Sequence, residues 1–213
     1  MFSMFSPDSR IMQIAGRITD LILLNILFLL TCLPVFTIGA AVTAMYTLCF
    51  RMLRQEEGNI IKPYFRAFRD NFRPATGVFA LLSLILIPDY MYFDRFFHMD
   101  GFLHYGFYFF VFIAAVAILS AGFAFPWVSQ FRNSVFQTLS NAFLLSISHL
   151  PRALAIAAIN LLPAVLWIVN FNLFTKISFL WLSLYFAAAA YMNAAILYPV
   201  FKPYTKPQRE VSQ

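Results

Sequence analysis

The sequence predicts an all-α, polytopic membrane protein of about six transmembrane helices, with amphipathic cytoplasmic helices and both termini inside. Three observations predict it. Of the 213 residues, 62% are hydrophobic and 11% charged, whereas a soluble domain carries roughly 25% charged residues. Apolar runs of membrane-crossing length recur along the whole chain, and mean hydropathy is +0.76. The 15 Lys and Arg residues are also unevenly placed. Six spans leave only Arg95 and Lys176 on the outer side, the asymmetry that cytoplasmic loops create by resisting translocation. Moving the count by one span destroys that asymmetry.

Residues 1–17 form an N-terminal interfacial segment. Ser6-Pro7-Asp8 is a helix-start signature, with Ser6 as cap and Pro7 at the first helical position. Apolar Phe2, Phe5, Ile11, Ile14 and Ile18 alternate with polar Arg10, Gln13 and Arg17, as in a helix lying at a membrane surface. A cleaved signal peptide is the rival reading, disfavoured by the long lead before the apolar core.

A single transmembrane domain occupies 18–200, with spans at about 18–33, 35–52, 75–92, 105–128, 153–171 and 177–200. Pro34 separates the first two spans. Arg10 and Arg17 precede them while Arg51 and Arg54 follow, so two crossings keep both ends in the cytoplasm. A re-entrant or broken helix at Leu33–Thr37 is the alternative to an external turn. Asp89, Asp94 and Asp100 flank the outer connection between spans 3 and 4, and Asn172–Lys176 make a tight outer turn. Residues 201–213 form a polar cytoplasmic tail. Ala67-Phe68 before Pro74 and Ala142-Phe143 before Pro151 form an internal echo. In each, a helix should break before the proline, because the preceding residue is pushed from helical geometry.

The basic segment Arg51–Thr76 is the most distinctive stretch. It holds Arg51, Arg54, Lys62, Arg66, Arg69 and Arg73. Ile60, Ile61, Tyr64, Phe65, Phe68 and Phe72 recur at three- and four-residue steps, which predicts an amphipathic helix capped by Asn59. Its rings Phe65, Phe68 and Phe72, with Arg66 and Arg69, are the candidate partner-docking residues. A helix resting on the inner leaflet is the plainer alternative.

Chemistry is scarce within the spans. The carboxylate Asp20 lies three residues from Arg17, a spacing that allows a local pair. Asn25, Asn160 and Asn193 are candidates for hydrogen bonds between helices, as buried polar residues in lipid usually are. Gly39 and Thr43, Ala40 and Ala44, and Ala190 and Ala194 are small residues four apart, the spacing of close helix packing. His98, His104 and His149 fit no metal motif, and Cys32 and Cys49 read as apolar packers rather than a disulfide or metal pair. The rings between Tyr90 and Phe110 form an interfacial aromatic belt. No phosphate-cradling loop or nucleophile elbow occurs. The sequence thus gives no catalytic, cofactor-binding or metal residue, and the basic loops carry no nucleic-acid pattern.

Three stretches carry a family likeness: LPVFTIGAAVTAMY (Leu33–Tyr46), YFRAFRDNFRPAT (Tyr64–Thr76) and YFAAAAYMNAAILYPVFKPY (Tyr185–Tyr204). In these the chain resembles the YesL family of small bacterial membrane proteins. The resemblance implies a multi-pass protein of the bacterial cell membrane, and relatives in that family are typically encoded beside carbohydrate ABC importers and two-component sensors. It brings no agreed catalytic residues. Ser140–Pro151 lacks the acidic-Ala-Ala start and spaced glycine of the loop by which importer membrane subunits dock their ATPase. The expectation is therefore a non-enzymatic accessory or assembly protein of carbohydrate ABC import or its sensing. Its partners would be the lipid bilayer and importer membrane subunits or a sensor kinase. A stand-alone transporter or permease-like subunit for a neutral solute is the alternative. Sequence does not fix the oligomeric state.

Overall fold

The computed structural model describes residues 10–56, 58–97 and 105–204. The Ser6-Pro7-Asp8 cap, His98, His104 and the tail beyond Tyr204 lie outside the described residues. Among those described, the chain is all helix, without a strand. The helices are α1 (Arg10–Thr31), α2 (Ile38–Leu53), α3 (Ile61–Phe97), α4 (Gly106–Gln130), α5 (Val135–Ser148), α6 (Leu150–Val169), α7 (Phe171–Lys176), α8 (Ser178–Leu180) and α9 (Phe186–Phe201). A short 3-10 turn, Val35–Thr37, leads into α2, and a π-helical segment, Trp181–Tyr185, joins α8 to α9.

By length and composition, five stretches can cross a membrane: Val35–Leu53, Ile61–Tyr92, Gly106–Gln130, Leu150–Val169 and Ser178–Tyr204. α1 is 22 residues long, or about 33 Å at 1.5 Å per residue, and is also largely apolar. The chain is therefore an all-α polytopic membrane protein.

α2 is the central helix. Ala40, Ala41, Ala44 and Cys49 are fully buried, and α2 packs on α3, α4 and α9. The small-residue faces turn inward: Ala190 and Ala194 of α9 are buried in the same core. Close packing matters here because lipid tails are as apolar as the side chains, so helices gain little hydrophobic drive by pairing in a bilayer. Gly39 shows how tight the fit is. A Cβ built on it would overlap the Ala75 carbonyl oxygen and lie 2.8 Å from the Phe79 Cβ. Cys32 and Cys49 are free thiols.

Three sequence expectations need correction. The helix does not break before Pro74: α3 runs unbroken for 37 residues through Pro74 and Pro88. Packing outweighs the local preference, since Tyr64 and Ala67 before the proline and Ala75 and Val78 after it all enter one core. Asn71 Nδ2 also donates to the Ala67 carbonyl at 3.0 Å, a turn before the proline. In the second half of the chain a break does occur, at His149, two residues before Pro151. The Arg17–Asp20 pair that the spacing allows is also absent among the described residues. Arg17 instead reaches across to donate to the Met52 carbonyl at 3.2 Å, tying the first part of α1 to the end of α2.

Asp89, expected in the outer connection, sits within α3 beside Pro88 and is buried. The outer turn at Asn172–Lys176 is a helical turn, α7, whose start is capped by Asn170 Oδ1 accepting from the Leu173 amide at 2.9 Å.

One contact bears on the two readings of Leu33–Thr37. Thr31 Oγ1 and the Tyr64 hydroxyl are 2.6 Å apart, linking the end of α1 to the basic segment. Thr37 in turn bonds back to the Pro34 carbonyl at 2.6 Å. The end of α1 and Tyr64 thus lie side by side, closer than opposite faces of an apolar core about 30 Å thick would allow. The geometry agrees with the re-entrant or broken reading. In cells, on a background lacking Cys32 and Cys49, Phe36→Cys should match Arg69→Cys in resisting an impermeant thiol reagent added outside. Labelling of Phe36→Cys alone would return the turn to the outer face.

Candidate functional site

The residues from Arg51 to Arg73 build a basic head on α3. Gln55 (φ 57°) and Gly58 (φ 143°) let the connection after α2 reverse direction. Glycine serves at 58 because side chains rarely adopt that backbone. Asn59 Oδ1 then accepts from the Ile61 amide at 2.8 Å and starts α3, as the capping pattern predicts. Glu56 clasps the turn, accepting from Arg51 Nε at 2.9 Å and Arg54 Nε at 2.6 Å. The Arg54 hydrogen bond, followed by that of Arg51, holds the Glu56 carboxyl below its ordinary range. Arg54 also donates to Gln130 at 3.1 Å, pinning the turn to the end of α4.

The candidate docking rings separate on this helix. Tyr64 is fully buried, and Phe68 and Phe72 pack against the core, 5.7 Å apart. Phe65 is 49% exposed and meets Tyr64 edge-on at 5.7 Å. Arg66 and Arg69 are exposed beside it. Arg66 lies 3.8 Å from Asp70, with both side chains largely in solvent, a geometry worth little in stability. The head therefore presents one ring and two cations outward, not three rings.

Beside this edge is a basin of about 1150 Å³ between the head of α3, the end of α2 and the connection from α4 to α5. Arg51, Lys62, Arg66 and Arg132 line it together with Glu56 and Asp70. Arg132 and Asn133 belong to a different loop from the basic segment, and sequence reading did not join them to it. The connection is held by Ser134 and Gln137, which exchange backbone and side-chain bonds at 3.3 Å as a capping box for α5. Oriented to satisfy its neighbours, the Asn133 amide accepts from Trp127 Nε1 at 3.0 Å and Asn141 at 3.3 Å.

The helix-packing candidates fall into two clusters. Asn25, fully buried, donates to the Leu182 carbonyl at 2.7 Å and accepts from the Ala187 amide at 3.0 Å, so it brackets the π-helical segment. Asn193, also fully buried, donates to Asn160 Oδ1 at 2.8 Å and to the Tyr46 hydroxyl at 3.2 Å. Gly39, Ala40 and Ala44 lie together on α2. A cavity of about 300 Å³, mostly apolar, adjoins the second cluster, with Tyr46, Asn160 and Tyr185 on its wall.

No curated protein and no solved structure matches the chain. Residues 21–95, which run from within α1 almost to the end of α3 and take in the basic head, match the family described as protein of unknown function, DUF624.

Proposed function

We propose that this chain is a non-enzymatic accessory or assembly protein of the bacterial cell membrane that docks a carbohydrate ABC importer or its sensor through the head of α3. The observation that carries the reading is the continuity of α3. Its 37 residues extend about 55 Å, well beyond an apolar core of about 30 Å. A helix that turned at Pro74 would lie flat on the leaflet, whereas a proline kink inside a continuous helix only bends it. The head is thereby a direct continuation of the span, with Phe65 turned outward and flanked by Arg66 and Arg69. The asparagines support the same reading, because Asn25 and Asn193 are spent on contacts between helices. The importer setting draws on the YesL resemblance, two of whose three stretches, 33–46 and 64–76, fall inside the matched residues.

The test is recovery of importer membrane subunits from native membranes at equal abundance of wild type and variants. Phe65→Ser should cut recovery about tenfold or more, the loss typical of a central aromatic anchor. Arg66→Gln with Arg69→Gln should cut it only modestly. Unchanged recovery with Phe65→Ser removes this edge as the docking element. The second reading, transport of a neutral solute by this chain alone, draws on the 300 Å³ cavity beside Asn160. Sugar uptake by proteoliposomes containing only this protein would favour it.

A further inference from the structure

We propose that the basin between the head of α3 and the α4–α5 connection holds the phosphodiester headgroup of an anionic membrane lipid. Charge is the first reason. Glu56 is taken up by Arg51 and Arg54, and Asp70 is only loosely near Arg66 at 3.8 Å. Among the described residues Lys62 and Arg132 form no ion pair, so the basin keeps a positive surplus contributed by two separate elements, the start of α3 and the α4–α5 connection. A monoanionic phosphodiester matches that surplus, and basic pockets at the ends of spans are where such headgroups bind.

Position is the second reason. The basin lies where apolar helix gives way to polar chain: Pro74 and Val128 are on its wall together with Asn71 and Ser129. Trp127, next to Val128, is buried; its ring lies 4.1 Å from that of Phe131, and its indole N–H donates to Asn133, which holds that basin residue of the α4–α5 connection in place. Size is the third. A volume of about 1150 Å³ far exceeds a lone phosphate and suits a headgroup with its glycerol backbone. The mixed lining fits an amphiphile better than an acidic peptide, which would leave the apolar wall uncovered. Phe65 and Arg69 of the docking edge lie outside the basin lining, and only Arg66 is shared.

Reconstitution in nanodiscs tests it. Phosphatidylglycerol should raise the melting temperature relative to phosphatidylcholine alone, and native mass spectrometry should detect retained phosphatidylglycerol. Each cation contributes about 1 kcal/mol near an anionic surface, so Lys62→Gln with Arg132→Gln should weaken retention roughly 25-fold. Arg69→Gln, which removes a cation outside the basin, should not. The charge-keeping pair Lys62→Arg with Arg132→Lys should restore retention, which separates lost binding from lost folding. Equal retention by wild type and the Gln pair, or an equal loss with Arg69→Gln, overturns the proposal. So does stabilisation by soluble glycerol 3-phosphate without any lipid effect, which would mark a free phosphate-ester site. Displacement by an acidic peptide with no preference for phosphatidylglycerol would mark a protein site instead.

Discussion

Gly39→Ala should lower the melting temperature in detergent by several degrees, and Gly39→Leu should yield almost no folded protein. A single methyl at this position would strike the Ala75 carbonyl and the Phe79 Cβ of α3. The obstacle is mainly backbone, so no rotamer change relieves it; α2 and α3 must move apart. Overpacking a well-filled site costs about 1–3 kcal/mol, and here it falls on the pair of helices in most extensive contact. Gly16→Ala is the fitting control, because a Cβ there meets nothing within 4 Å. Gly58 is a poorer control despite its open surroundings, since its φ of 143° would strain any side chain. Equal melting temperatures for Gly39→Ala and Gly16→Ala would show that the two helices are not locked at this point.

Asn25→Leu, which keeps the branched outline of the side chain but adds bulk and removes its polar atoms, should be comparably damaging. The π-helical turn leaves backbone groups without their regular helical partners, and Asn25 serves two of them, the Leu182 carbonyl and the Ala187 amide. Bonds of this kind within a membrane are worth about 0.6–2 kcal/mol each, so losing both should cost about 1–4 kcal/mol. Amide exchange at Ala187 should accelerate as well. Asn25→Asp should fall between wild type and Leu, because a carboxylate still accepts from Ala187 but cannot donate to Leu182. Unchanged stability and exchange in Asn25→Leu would mean that the π-helical turn holds itself.

These two residues also show what the sequence disclosed and what it hid. Gly39 was legible because small residues four apart on an apolar helix have few uses other than close packing. Asn25 was legible as a helix-to-helix bond, but its target was not. The π-helical turn it serves lies 157 residues away, and nothing in Trp181–Tyr185 departs from an ordinary apolar helix. The membrane class was plain because it sums over the whole chain, so no single misjudged residue alters it. The run through Pro74 was hidden for the opposite reason. Proline's local preference is explicit in the sequence, while the core contacts on both sides that override it are not. The candidate site divided similarly. The amphipathic period marked the head of α3, yet the period alone could not tell Phe65, which faces out, from Phe68 and Phe72, which lean on the core. Arg132 and Asn133 entered the basin through tertiary packing between loops about 60 residues or more apart in the chain, beyond the reach of any local pattern.

An unbroken α3 would also couple the head to the membrane itself. A span matches a thinner or thicker bilayer chiefly by changing its tilt, at a cost of fractions of a kcal/mol per ångström of mismatch. A head joined to its span by a flexible loop would ignore such a change. Here the head and the span are one helix, so a few degrees of tilt in the apolar part swing Phe65 through the same angle. Lipid composition would then set the direction in which that edge is presented.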